Sequence, residues 1–125
     1  MPIRLTIDRP NLLVLGVGSG VVTLPDLATF AKEIIQGGLL HYSKLIDVST
    51  SIPGCTEEEL TTLAQALREV RTDTPRGPLA IIADPNRGNF AKFFSELDVD
   101  GRPVRIFRSI HDARKWLAEQ TTRNE

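Results

Sequence analysis

Several things are scarce in this chain, and each scarcity closes a class of explanation. Cysteine occurs once, at Cys55, so no internal disulfide framework can exist. Histidine occurs twice, at His41 and His111, far apart and without spaced ligand partners, so no metal site is expected. No serine is framed as a nucleophile elbow, and no Ser-His-Asp or Cys-His set suggests itself. Basic residues are not in excess: 15 Lys and Arg stand against 16 Asp and Glu, giving a net charge of −1. That balance argues against a nucleic-acid binder, which needs a basic face for phosphate. No apolar run approaches membrane-spanning length, and the N-terminus lacks the basic-then-apolar order of a signal peptide. A cytoplasmic protein with no transmembrane segment is the expectation.

What remains is an ordinary globular composition, 41% hydrophobic and 25% charged over 125 residues. That length suits one domain with a real core. Residues 1–120 read as the domain and 121–125 as a polar tail. No linker or low-complexity tract interrupts it.

The organising stretch is Lys44 to Glu59, where an apolar run ends in Asp47, passes a hydroxyl-rich loop and enters a capped helix. Similar units lie on both sides. Ile3, Leu5 and Ile7 alternate with polar residues as a half-buried edge strand, and Arg9-Pro10-Asn11 turns the chain into a second arm, Leu12 to Val17. Thr23 caps a helix with its stripe on Leu27, Phe30, Ala31, Ile34 and Ile35, closed by Gly37-Gly38. The strand Lys44 to Val48 follows, and Thr56 caps a helix striped by Leu60, Leu63, Ala64, Leu67 and Val70. Leu79 to Ala83 is apolar on both faces, as a central parallel strand should be. Asp84-Pro85-Asn86 opens a helix bearing Phe90, Phe93, Phe94 and Leu97. Val104 to Phe107 is the last strand, and Ser109 caps a helix facing inward through Ile110, Ala113, Trp116 and Leu117. The expectation is an α/β fold: one open, mostly parallel sheet of about five strands with about four helices and an antiparallel N-terminal hairpin.

Ligands of open parallel sheets collect beyond the carboxyl ends of the strands. Asp47, Asp84 and Arg108 fall there. Each can equally be a loop cap or a surface ion, and Ser49, Thr50, Ser51 and Thr56 can equally be turn and cap residues. A phosphate on Ser51 or Thr56 would meet free helix N–H groups but also the charges of Glu57 to Glu59. Those glutamates also oppose a thiolate at Cys55, so an inert thiol is expected. Ile52, stiffened by Pro53, either points outward as an anchor or folds back on the next helix as a hydrophobic staple. Gly16, Gly18 and Gly20 share one face of the second arm. They sit too early for a dinucleotide fingerprint, so no cofactor is expected. The bare face either packs closely on a helix or borders a pocket for a small apolar ligand, with Gly16, Gly18, Phe30 and Phe93 around it.

The order of elements resembles the anti-sigma-factor antagonist (STAS) fold, and more closely the SpoIIAA-like bacterial proteins grouped with it. The resemblance is carried by Gly20-Val21-Val22-Thr23-Leu24-Pro25-Asp26-Leu27, by Tyr42-Ser43-Lys44-Leu45-Ile46-Asp47 and by Gly77-Pro78-Leu79-Ala80-Ile81-Ile82-Ala83. Arg105-Ile106-Phe107-Arg108 and Ala113-Arg114-Lys115-Trp116-Leu117 complete it. It covers nearly the whole chain and implies a (βα) superhelix with partner-binding regulation. In the antagonists an Asp-Ser-Ser/Thr-Gly motif after the third strand carries a phosphorylated serine. This chain has Ser49-Thr50-Ser51-Ile52-Pro53-Gly54-Cys55-Thr56 there instead.

Two functions from different classes are therefore expected. One is a non-enzymatic interaction or regulatory domain that binds a protein partner through the loop from Asp47 to Thr56. The other is a carrier of a small apolar ligand or lipid. A homodimer is compatible with either.

Overall fold

The computed structural model describes residues 3–70, 76–84 and 103–123. A five-stranded sheet has the order β1-β2-β4-β6-β7, with β1 spanning Ile3–Asp8, β2 Leu13–Gly18, β4 Ser43–Asp47, β6 Leu79–Ile82 and β7 Val104–Phe107. β1 and β2 pair antiparallel, while β2, β4, β6 and β7 are parallel neighbours. Among the described residues there are three helices, α1 Leu24–Gln36, α2 Glu57–Arg68 and α3 Ile110–Arg123. The mostly parallel sheet and its antiparallel hairpin are as the sequence suggests. The expected helix around Phe90, Phe93 and Phe94 lies outside the described residues.

Alternation sorts the apolar side chains onto two faces. Val14, Ile46, Leu79 and Ile81 meet Leu27, Phe30, Ile34, Leu60 and Ala64 from α1 and α2. Leu45, Ala80 and Ile82 meet Ala113, Trp116 and Leu117 from α3, with the Phe107 and Trp116 rings 5.7 Å apart. β6 is buried at all four positions, which is why its sequence shows no polar alternation.

Both early helices begin on reciprocal caps. Thr23 N–H donates to Asp26 Oδ2 at 2.9 Å and Asp26 N–H donates back to Thr23 Oγ1. The backbone N–H of Thr23, and then its hydroxyl, hold the Asp26 carboxyl below its ordinary pKa. Thr56 N–H donates to Glu59 Oε1 at 2.8 Å, and Glu59 N–H returns a bond to Thr56 Oγ1. At its far end α1 stops at Gly38, whose φ of +69° is the left-handed turn glycine accepts at no steric cost.

Several expectations are corrected. Leu12 does not start a strand: its φ is 51°, and its N–H closes the turn onto the Arg9 carbonyl. Ile110 is not buried: although it has the spacing of the Ala113, Trp116 and Leu117 stripe, it is the first residue of α3 and stays 48% exposed. α3 runs to Arg123, into the stretch read as a tail. Two short strands were not anticipated: β3, Gly20–Val22, pairs parallel with β5, Ser51–Pro53, as a separate ribbon.

The glycine face of β2 is packed. A Cβ on Gly16 would lie 2.6 Å from Phe30 Cζ, so the missing side chain is what lets the ring settle onto the sheet. Gly16→Ala should therefore cost ~1–3 kcal/mol, the range for forced overpacking. Combined with Phe30→Leu, the loss should fall short of the summed single losses by at least ~0.5 kcal/mol, measured by denaturant unfolding. Strict additivity would show that the two positions do not compete for the same space.

Candidate functional site

The carboxyl ends of the central strands lie side by side, because Val48 N–H donates to the Ile82 carbonyl and Ala83 N–H to the Phe107 carbonyl. Asp47, the last residue of β4, and Asp84 and Arg108, just beyond β6 and β7, thus lie at the carboxyl ends of adjacent strands. Asp47 is used locally: its Oδ1 accepts from Ser49 N–H at 3.0 Å and from Ser49 Oγ at 2.6 Å, a tight Asx turn. Asp84 is half-buried and Arg108 exposed.

The segment from Asp47 to Thr56, read as an exposed loop, is largely built into the scaffold. Thr50 Oγ1 donates to the Gly18 carbonyl at 3.4 Å, and Ser51 N–H donates to the Val48 carbonyl at 3.0 Å. Ser51 is fully buried, and its hydroxyl sits where a side chain on Gly18 would be. A buried hydroxyl cannot receive a phosphate without opening the loop, so Ser51 does not present a modification site in this conformation. Thr56 is exposed, but its Oγ1 already serves the Glu59 N–H, beside Glu57 and Glu58. The cap of α2 is thereby closed by its own residues, Thr56 and Glu59.

The next residue along points the other way. Ile52 is 52% exposed and makes no staple on α2; the correction follows from β5, which fixes Ser51 inward and Ile52 outward by strand alternation. Its register partner on β3 is Val21, 56% exposed. In a parallel pair, matched residues stand side by side on the same face. Two β-branched side chains therefore form an apolar ridge at the carboxyl edge of the fold. Gly54 lies under Val21, where a Cβ would meet Val21 Cγ1, and Gly54 N–H donates to the Val22 carbonyl at 2.7 Å. The chain turns into β3 through Gly20, at a φ of +65°.

Neither Val21 nor the ridge was singled out by sequence reasoning. Three-residue strands are too short to show alternation, and a valine before a helix cap reads as core. Of the two readings of the glycine face, close packing holds around Gly16, Gly18 and Phe30, since Phe30 and Ser51 occupy the space a pocket would need. Phe93 lies outside the described residues. A shallow groove of about 460 Å³ exists instead between α1 and α2, lined by Leu24, Ala28, Thr62, Leu63 and Ala66 with Glu58 and Glu59.

By sequence Lys44 is only a polar residue at the start of a strand, yet it is 3% exposed. Its Nζ donates to the carbonyls of Leu40 at 2.6 Å and Tyr42 at 2.9 Å, at the amino end of β4 and away from the ridge. Its geometry is that of a buried cation solvated by carbonyls.

No family model matches the chain, and no curated protein does. Among solved structures it is similar to an uncharacterized protein of the DUF3478 family with a SpoIIAA-like fold from Shewanella loihica PV-4. The two share 16% identity, with 92% of this chain and 91% of that one covered at a TM-score of 0.56. The chain has a SpoIIAA-like fold. No helix among the described residues is long and apolar enough to cross a membrane.

Cys55 closes the hydroxyl segment. Partial burial, and then the Glu59 charge, push its thiol pKa up. Its thiolate fraction at neutral pH is therefore below that of an unperturbed cysteine, and alkylation should be slower than for a free thiol. Iodoacetamide kinetics across a pH series should show the reaction rising at higher pH than for a cysteine peptide. Glu59→Gln should bring it part of the way back. A rate matching or exceeding the peptide's would contradict the stated environment.

Proposed function

We propose that this chain is a non-enzymatic interaction domain that binds another protein through the Val21–Ile52 ridge. The observation that carries the reading is the pairing of two half-exposed β-branched side chains on a ribbon of fixed register. Apolar residues exposed singly are ordinary, whereas adjacent ones held on a rigid element supply an anchor for a partner. Completing the burial of a half-covered isoleucine or valine contributes about 1 kcal/mol each, half the full-burial range. That is enough for an anchor inside a larger interface. Ser49 and Thr50 beside the ridge supply hydroxyls for a polar rim.

A small apolar ligand is the second reading, and the groove between α1 and α2 is the observation that favours it. Its openness to solvent and the two glutamates in its lining make it the weaker candidate for an apolar cargo. Native mass spectrometry of protein purified from its own host separates the readings: a retained protein partner supports the ridge, a retained apolar molecule the groove.

The ridge is tested at Ile52. Ile52→Asp should leave the melting temperature nearly unchanged, since the side chain already faces solvent. It should weaken partner capture by more than ~1 kcal/mol, the lower edge for an anchor residue. Unchanged stability together with unchanged capture would remove the ridge from the interface.

A further inference from the structure

The main sheet ends on β1, and among the described residues no strand pairs with its outer edge. An open edge offers a row of backbone N–H and C=O groups to any strand of matching pattern. We propose that two copies of this chain pair antiparallel along β1, about a two-fold axis normal to the sheet and centred on Thr6.

The strand is self-complementary in that register. Such an axis keeps each face of the sheet continuous across the join, so residues whose numbers sum to twelve stand opposite one another. Arg4 then faces Asp8 of the second copy, and Asp8 faces its Arg4, giving two opposite-charge pairs related by the axis. Thr6 faces Thr6 between them. On the other face Leu5 stands against Ile7 of the second copy, and Ile7 against its Leu5. Opposite charges, paired threonines and paired aliphatics are the combinations that favour cross-strand contact. Arg4 and Thr6 are exposed, and Leu5, Ile7 and Asp8 are only partly covered, so all five have surface left to bury.

Asp8 is already oriented for this. Its Oδ2 accepts from Asn11 Nδ2 at 2.8 Å and its Oδ1 from Asn11 N–H at 3.3 Å, which fixes the carboxylate beside the turn. A carboxylate has about four acceptor positions, so a guanidinium can still be received. Neighbouring registers do worse. An axis on Leu5 sets Arg4 against Thr6, and an axis on Ile7 sets Arg4 against Pro10, which has no N–H to give. The opposite sheet edge does worse too. β7 holds Arg105 and no carboxylate, with Arg108 just beyond, so a two-fold pairing there gathers like charges.

Sedimentation of the full chain at high micromolar concentration tests the proposal, with circular dichroism to confirm folding of each variant. The wild type should sediment as a dimer. Arg4→Glu and Asp8→Arg should each raise the dissociation constant roughly ten-fold or more, as attraction becomes repulsion at both symmetric sites. The double reversal, Arg4→Glu with Asp8→Arg, should recover most of the lost affinity, because the pair is restored in the opposite sense. Because Asp8→Arg also removes the contacts to Asn11 and could disturb the turn, Thr6→Lys is the second test. It changes only an exposed side chain, sets two ammonium groups at the axis, and should give a folded monomer. Ile52→Asp should leave the dimer intact, separating this edge from the ridge. A monomeric wild type, a dimer that persists in Thr6→Lys, or a double reversal no better than its folded single variants would each overturn the proposal.

Discussion

The space left by two missing side chains on β2 governs the upper half of this molecule. Phe30 fills the room beside Gly16, and Ser51 fills the room beside Gly18. The first contact brings α1 down onto the sheet. The second draws the segment after β4 against the end of β2, and from there β3 and β5 run on as a parallel ribbon. Larger residues at either glycine would have to displace a ring or a fully buried hydroxyl in an interior packed to crystal density. The ridge therefore exists because the segments that carry it are held from beneath.

The consequence for chemistry is that most of the polar residues in the candidate region are already employed. Asp47 orients Ser49, Thr50 reaches Gly18, Thr56 and Glu59 cap each other, and Ser51 is sealed inside. The Thr50 and Thr56 hydroxyls serve the backbone, Ser49 bonds the Asp47 carboxylate, and the Ser51 hydroxyl is buried. Outward the segment offers the apolar Ile52, flanked by the exposed Thr50 and Thr56. An apolar ridge, a polar rim and a fixed backbone are the features on which the proposed association rests.

The sequence made the sheet and helices legible because each rests on a period or a cap. β6 is an unbroken apolar run, α1 and α2 carry their stripes, and both threonine caps sit three residues before an acid that answers them. The failures have physical reasons as well. Leu12 adopts a left-handed conformation forced by the turn ahead of it, which no apolar pattern announces. Ile110 fits the helical stripe by type and spacing, but as the first residue of α3 it stays half exposed, which periodicity does not reveal. The direction of Ile52 depends on whether residues 51–53 pair with anything, and their register partners lie 31 residues earlier in β3. Long-range pairing of two three-residue strands leaves no local signal, so the ridge could be seen only in the folded chain.

The proposed contact of Val21 and Ile52 with another protein in the cell is open to direct test. Site-specific photo-crosslinking in the native host reads that contact directly. A photo-reactive residue placed at Ile52, and separately at Val21, should yield the same protein adduct from both positions. The same residue at Thr29, exposed on α1, should not. A shared adduct at the two ridge positions that is absent at Thr29 is the result this structure predicts. No adduct at either ridge position, or equal labelling at all three, would contradict it.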